Sequence, residues 1–590
     1  GSGGGIRIDV GSISGTGSIT ANGSPAFVPA GGGGGGGGRV AIYYQSAATF
    51  NFANVTAFGA AFSGSSINGG AGTVYLQGPT RESGELVVDN NNLTVPVTST
   101  TPILGAANTT LSLTHLRVRR TALAKLDSTL NISGALEIAT NGEFVIGNGI
   151  TANTIELITG GKLGHASTTS AQTFKLDINA QNINIDATSR IDVSGRGFLA
   201  GGRPGNPSTT NGMTVGFQST NQSGTAGSYG GLGGNFSGAT NPVYGDFRNP
   251  NEVGSGGGGF QGAPAGNGGG LARIVAQSMS VNGSIRANGG TADGAGAGGS
   301  GGGIRIDVGT LQGSGTILAN GSAGFVPAGG GGGGGGRIAI YYQNGTSFSF
   351  NNVNSFGALG AGSPNGGAGT VYLQGPASES GELVIDNNNL TLLTASRTPI
   401  QGASSTSLSL SHLRIRRNAR AKFDGTLNLG GTLEISNNSE YAAGVRVISN
   451  STSLTNNSIL THTATTGTAA FKLDLATENL AIDGTSRIDV IGIGFLGGGR
   501  PGNPSSTNGM TLGFKSVNGS GTAGSYGGLG GAFSGSTNPL YGVATNPNDV
   551  GSGGGGFNGS PAGNGGGLAR IAAQTFVLNG AVRAGGGLAE

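Results

Sequence analysis

"FKLDINAQNINIDATSRIDVSGRG" occupies residues 174–197. Its apolar residues fall in three short runs: Leu176 and Ile178, then Ile183 and Ile185, then Ile191 and Val193. Alternation with a period of two marks a strand buried on one face. Three strands in so short a stretch leave room only for corners, and no helical stripe with caps interrupts them. The same rhythm returns in "GGGIRIDVGSISGTGSITANGS" at 3–24 and "GGGLARIVAQSMSVNGSIRANGG" at 268–290. It predicts an all-β fold, a parallel β-solenoid whose coils share one interior and bond to the coils above and below. Coils are expected near 6–23, 39–57, 73–95, 111–138, 150–164, 174–197 and 271–288. At about 4.8 Å per coil, about seven or eight coils advance about 35–40 Å.

The whole pattern occurs twice. "GSGGGIRIDV" at 1–10 recurs at 299–308, "GTVYLQGP" at 72–79 recurs at 369–376, and "GNGGGLARI" at 266–274 recurs at 563–571. Two tandem units follow, 1–298 and 299–590, each with a long glycine-rich loop, about 198–268 and about 495–565. The opening lies inside a motif, so the chain is expected to be a processed form or a window on a longer array. Phe and Tyr residues in the long loops predict that these pack on something rather than float.

"VPAGGGGGGGGRVAIYYQ" at 28–45 and "VPAGGGGGGGGRIAIYYQ" at 326–343 raise a separate question. Glycine loses more conformational entropy on ordering than any other residue, so eight together need a reason. A phosphate loop requires Lys-Ser/Thr and then a helix, whereas Arg39-Val40-Ala41-Ile42 reads as a strand. Shorter glycine runs also precede strands, at 3–5 and 268–270. Stacked coils would stack these runs, letting side-chain-free backbones lie in contact. The candidate packing and assembly residues are Gly31, Gly34, Gly38, Gly329, Gly332 and Gly336. A disordered bulge is the competing reading.

Composition narrows the function classes. Charged residues make up 10% of 590, against roughly 25% in ordinary domains, and 126 residues are Gly. A net charge of +3 is too thin for a nucleic-acid footprint. Cysteine is absent, which rules out disulfides and thiolate metal sites and suits a long exported chain. No apolar run is long enough for a membrane-spanning helix.

"HLRVRR" at 115–120 and "HLRIRR" at 412–417 are the sharpest charge clusters. On a strand, His115, Arg117 and Arg119 share one face, as do His412, Arg414 and Arg416. These six are the candidate surface contacts, for a neighbouring copy or an acidic polysaccharide; a solvated face is the plainer reading. "RIDV", as at 7–10, places Arg7 and Asp9 outward around Ile8, an exposed pair of little energetic weight. His115, His165, His412 and His462 lack the companions of a zinc site. Under a β-helix hydrolase or lyase reading, Asp89, Asp127, Glu137 and Arg117 would carry the chemistry, but they form no dense cluster in sequence. No catalytic, cofactor or metal residue is therefore expected.

In rhythm and composition the chain resembles the β-helical repeats of filamentous-haemagglutinin-type adhesins and other giant glycine-rich bacterial surface proteins. That resemblance implies an extracellular, cell-surface structural role with copies of the same chain as partners. The alternative is a stalk segment of a giant adhesin. The long glycine runs and loops depart from compact haemagglutinin coils and favour lateral packing.

Overall fold

The structure is a computed structural model describing residues 1–26, 32–62, 67–103, 110–325, 329–345, 347–392, 397–400 and 406–589. Among these the regular structure is strand, with short 3-10 turns and no α-helix. The chain divides into two compact units, Gly1–Gly366 and Gly367–Glu590. The first unit thus holds the first sequence repeat and the opening of the second.

In the first unit, strands pair in parallel with residues of like character in register. Ile8 pairs with Ile42, and Ile42 with Leu76. Further on, Leu116, Leu136, Ile155, Ile183, Met279 and Leu311 form one continuous buried column. A second, eight-stranded parallel sheet carries its own column, Ala124, Phe144, Leu163, Ile191, Ile285, Ile317 and Val353. Between the two sheets the chain turns through paired left-handed residues, Arg120 with Thr121 and Thr140 with Asn141. These corners also stack, since the Thr121 and Asn141 amides donate to the Thr140 and Thr159 carbonyls at 2.9 Å. Each column buries apolar surface at about 25 cal/mol per Å², and the ladder satisfies the backbone between layers.

One junction is not parallel. Thr73–Gly78 and Arg81–Asp89 form an antiparallel hairpin, where a single coil was expected over 73–95. Val74 and Leu76 belong to the core built on Val40 and Ile42. Leu86 and Val88 point the other way and pair with Leu116 and Val118. The hairpin therefore reverses the strand direction and moves the interior to the opposite face. The expected coil at 111–138 is also two layers, His115–Arg119 beside Thr129–Ala139.

The long segment 198–268 is woven into the unit rather than looped out. It carries a small hairpin, Gly212–Thr214 with Gln218–Asn221. Phe198, Leu199, Met213 and Val253 form a core with Leu271, and Tyr229 and Phe247 are fully buried.

The second unit repeats the plan. An antiparallel hairpin joins Thr370–Gln374 to Glu382–Asp386. Parallel layers then follow, with Leu383, Leu413, Leu433, Thr452, Leu480 and Phe576 in register.

Candidate functional site

The glycine runs form a lattice of extended backbone. In the second run, the amides of Gly331 and Gly334 donate to the carbonyls of Gly224 and Gly227, both at 3.0 Å. Those of Gly333 and Gly336 donate to Ser322 and Ala319. The carbonyls of Gly331 and Gly334 accept from Gly298 and Gly301, and those of Gly332 and Gly335 from Gly234 and Gly231. Each neighbour is met at every third residue, so the segment turns once per three residues, as a polyproline II helix does. Such a helix has no internal hydrogen bonds, and here its bonds all go to neighbouring segments. A Cβ on Gly332 or Gly334 would overlap the carbonyl oxygen of Ala358 or Gly231. Only glycine allows this spacing, which is the physical reason for the run.

The first run is half enclosed. Gly35 and Gly38 donate to Ser24 and Ala21, and Gly34 and Gly37 to Ile67 and Gly70. A Cβ on Gly36, the counterpart of Gly334, would meet nothing nearer than Gly70 O at 3.8 Å. Of the six glycines singled out from sequence, Gly34, Gly38, Gly332 and Gly336 sit where a Cβ would strike backbone. Gly329 is at a turn with φ of 91°, against the Phe236 ring. Gly31 lies outside the described residues.

The two repeats meet inside the first unit. Leu271–Val281, closing the first repeat, pairs in parallel with Gly303–Gln312, opening the second. The loop around residues 244–250 clasps the incoming repeat from outside. Arg337 Nε donates to Tyr244 O at 2.9 Å, Tyr341 Oη to Arg248 O at 2.7 Å, and Arg305 Nη1 to Asn249 Oδ1 at 2.6 Å. The Arg337 guanidinium lies over the Tyr229 ring and is only 2% exposed. Its first-repeat counterpart, Arg39, is exposed.

The basic strands are neutralised in place. Arg117 pairs with Glu85 at 3.1 Å and Glu137 at 3.8 Å, while Arg119 and Arg120 both grip Asp89. His115 Nδ1 accepts the Ala135 amide. The second unit matches: Arg414 meets Glu382 and Glu434, Arg416 meets Asp386, and His412 accepts from Thr432. The residues sharing a face are thus brought together, but with carboxylates from adjacent layers that sequence spacing alone does not pair. Asp127 stands apart, paired with Lys125. Among the described residues no group of three His, Cys, Asp or Glu is placed to hold a metal.

His165 has a structural task with no signal in its local sequence. It is fully buried; Nδ1 donates to Ala166 O and Nε2 accepts the Leu271 amide at 3.2 Å. It pins the strand that follows the long glycine-rich segment. Burial pushes its pKa down to about 4. His462 does the same for Leu568, and burial lowers its pKa too.

No protein-family model, curated protein or solved structure matches this chain. No helix among the described residues is long and apolar enough to cross a membrane.

Proposed function

We propose that the chain is an extracellular structural protein, an element of a cell-surface fibre, filament or sheath built from tandem β-solenoid repeats. The observation that carries this reading is the passage between repeats. The Leu271–Val281 strand accepts Gly303–Gln312 with no break in register, and the glycine lattice crosses the same boundary. A repeat that closes by receiving the start of the next in register is suited to extension by further repeats.

Stacked columns and stacked corners support the solenoid. At the Thr73–Gly78 hairpin the strand direction and the interior face both reverse. The two changes together amount to a half-turn about the stacking direction, so the hand of winding is kept. The function is mechanical: ladders run along the stack, and the glycine lattice ties its flank.

Sedimentation velocity of residues 1–590 over a concentration series tests this. Concentration-dependent growth into long species is expected. A single monomeric species at every concentration overturns it.

A further inference from the structure

An open recess of about 360 Å³ lies on the eight-stranded sheet of the first unit, where the strands leave their left-handed corners. Its size falls within the range of small-molecule sites, about 300–1,000 Å³. Glu143, Lys162 and Arg190 stand in register on consecutive strands along its wall. Asn141 and Thr159 line it from the corners.

Two cations are thus neighbours on adjacent strands, a placement that like charges disfavour. Glu143 is the one carboxylate in their column, and it is shared, 3.2 Å from Lys162 Nζ and 3.3 Å from Arg196 Nη2. Among the described residues the only side-chain hydrogen bond of Arg190 runs from Nε to Asp192 at 3.3 Å. Lys162, Arg190 and Arg196 therefore outnumber Glu143 and Asp192. The Asn141 side chain is exposed and makes no hydrogen bond among the described residues.

The second repeat is built differently at the same place. Ile459 stands where Lys162 does, and Asn457 where Gly160 does. Asn457 Nδ2 donates to Asn438 Oδ1 at 2.9 Å, so the corner amides satisfy each other. Glu440, the counterpart of Glu143, is buried and gripped by Arg397 and Arg420 from preceding layers, where the first repeat has Thr100 and Leu123. The fold therefore does not require a lysine here, and Lys162 beside an open recess is particular to the first repeat.

We infer that the recess binds an acidic sugar unit, with Lys162 and Arg190 on its carboxylate and Asn141 and Thr159 on its hydroxyls. The planar arginine fork matches a carboxylate, and the corner supplies neutral donors and acceptors for the ring. All these residues lie in consecutive layers of one unit, so the site stands whether or not copies assemble.

Titration calorimetry of residues 1–590 tests it with tetragalacturonate, neutral maltotetraose and sodium sulfate at one ionic strength. Saturable binding of tetragalacturonate is expected, with none for maltotetraose and about tenfold weaker binding or less for sulfate. Gly160→Asn with Lys162→Ile installs the second repeat's own residues, and Asn457 already adopts the left-handed φ of 61° there. Tm is expected to hold while binding falls about tenfold or more. Arg190→Gln gives the same readout if the double variant melts early, whereas Arg487→Gln, its second-repeat counterpart, is expected to change nothing. No binding of tetragalacturonate, binding untouched by both first-repeat changes, or an equal loss with Arg487→Gln overturns the site. Maltotetraose or sulfate binding as tightly as tetragalacturonate overturns the acidic-sugar assignment.

Discussion

The Arg337 guanidinium lies 5.6 Å from the centre of the Tyr229 ring, and both side chains are shut away from solvent. One belongs to the second repeat and the other to the long glycine-rich segment of the first. Their contact makes the boundary between repeats a packed interior. Burial lowers the Arg337 pKa from its ordinary value, and Coulombic interactions with Tyr229, Asp246 and Glu252 oppose that only in part. Arg337→Ala removes the buried guanidinium with its hydrogen bond to Tyr244 O and its contact over the Tyr229 ring, at a cost of about 3 kcal/mol. Arg39→Ala, at the exposed counterpart, stays within about 0.5 kcal/mol in the monomer. Urea denaturation followed by tyrosine fluorescence compares the two, and equal midpoints would deny the clasp its energetic role.

Gly334→Ala and Gly36→Ala form a second matched pair. The first forces a methyl into the Gly231 carbonyl, whereas the second meets only an ordinary contact. Overpacking of this kind costs about 1–3 kcal/mol. Thermal melts of the monomeric chain are expected to drop for Gly334→Ala and hold for Gly36→Ala.

Acid sensitivity traces to the buried histidines. The ordinary histidine pKa is about 6.5 and burial lowers that of His165 to about 4, so the fold favours the neutral ring. That stability is fully present above pH 6.5 and is lost as pH falls through 4, for a total of roughly 3 kcal/mol. The Tm of the chain should decline across this window. His165→Gln together with His462→Gln should lower Tm at pH 7 and flatten the decline, and an unchanged slope would assign the titration elsewhere.

Asp89 holds two arginines, so its loss has two effects. Asp89→Ala should destabilise the chain by about 1–3 kcal/mol, the range for a partly buried charge network. It should also unmask Arg119 and Arg120 and increase retention on a sulfated polysaccharide column relative to wild type. Unchanged retention would show that these arginines do not govern contact with polyanions.

Strand character was legible wherever alternation was strict, as in Leu176–Ile178 and Ile183–Ile185, because period two follows from the pleat. Strand direction was not, because Val74 and Val87 alternate equally well in a parallel or an antiparallel pair. The outward face of Arg117 and Arg119 was legible, but their carboxylate partners Glu85 and Asp89 depend on the register between layers. The glycine runs were legible as close backbone packing. Their neighbours were not, since Gly224 and Gly231 come from a segment with no periodic pattern. The clasp of Tyr244 on Arg337 joins residues 93 apart and leaves no local signature.

The most direct measurement is electron microscopy with fibre diffraction on residues 1–590 at concentrations where the chain associates. Unbroken stacking from copy to copy requires filaments with a reflection near 4.8 Å along the filament axis, the spacing of hydrogen-bonded strands. Discrete particles at every concentration, or filaments whose 4.8 Å reflection lies across the axis, would contradict it.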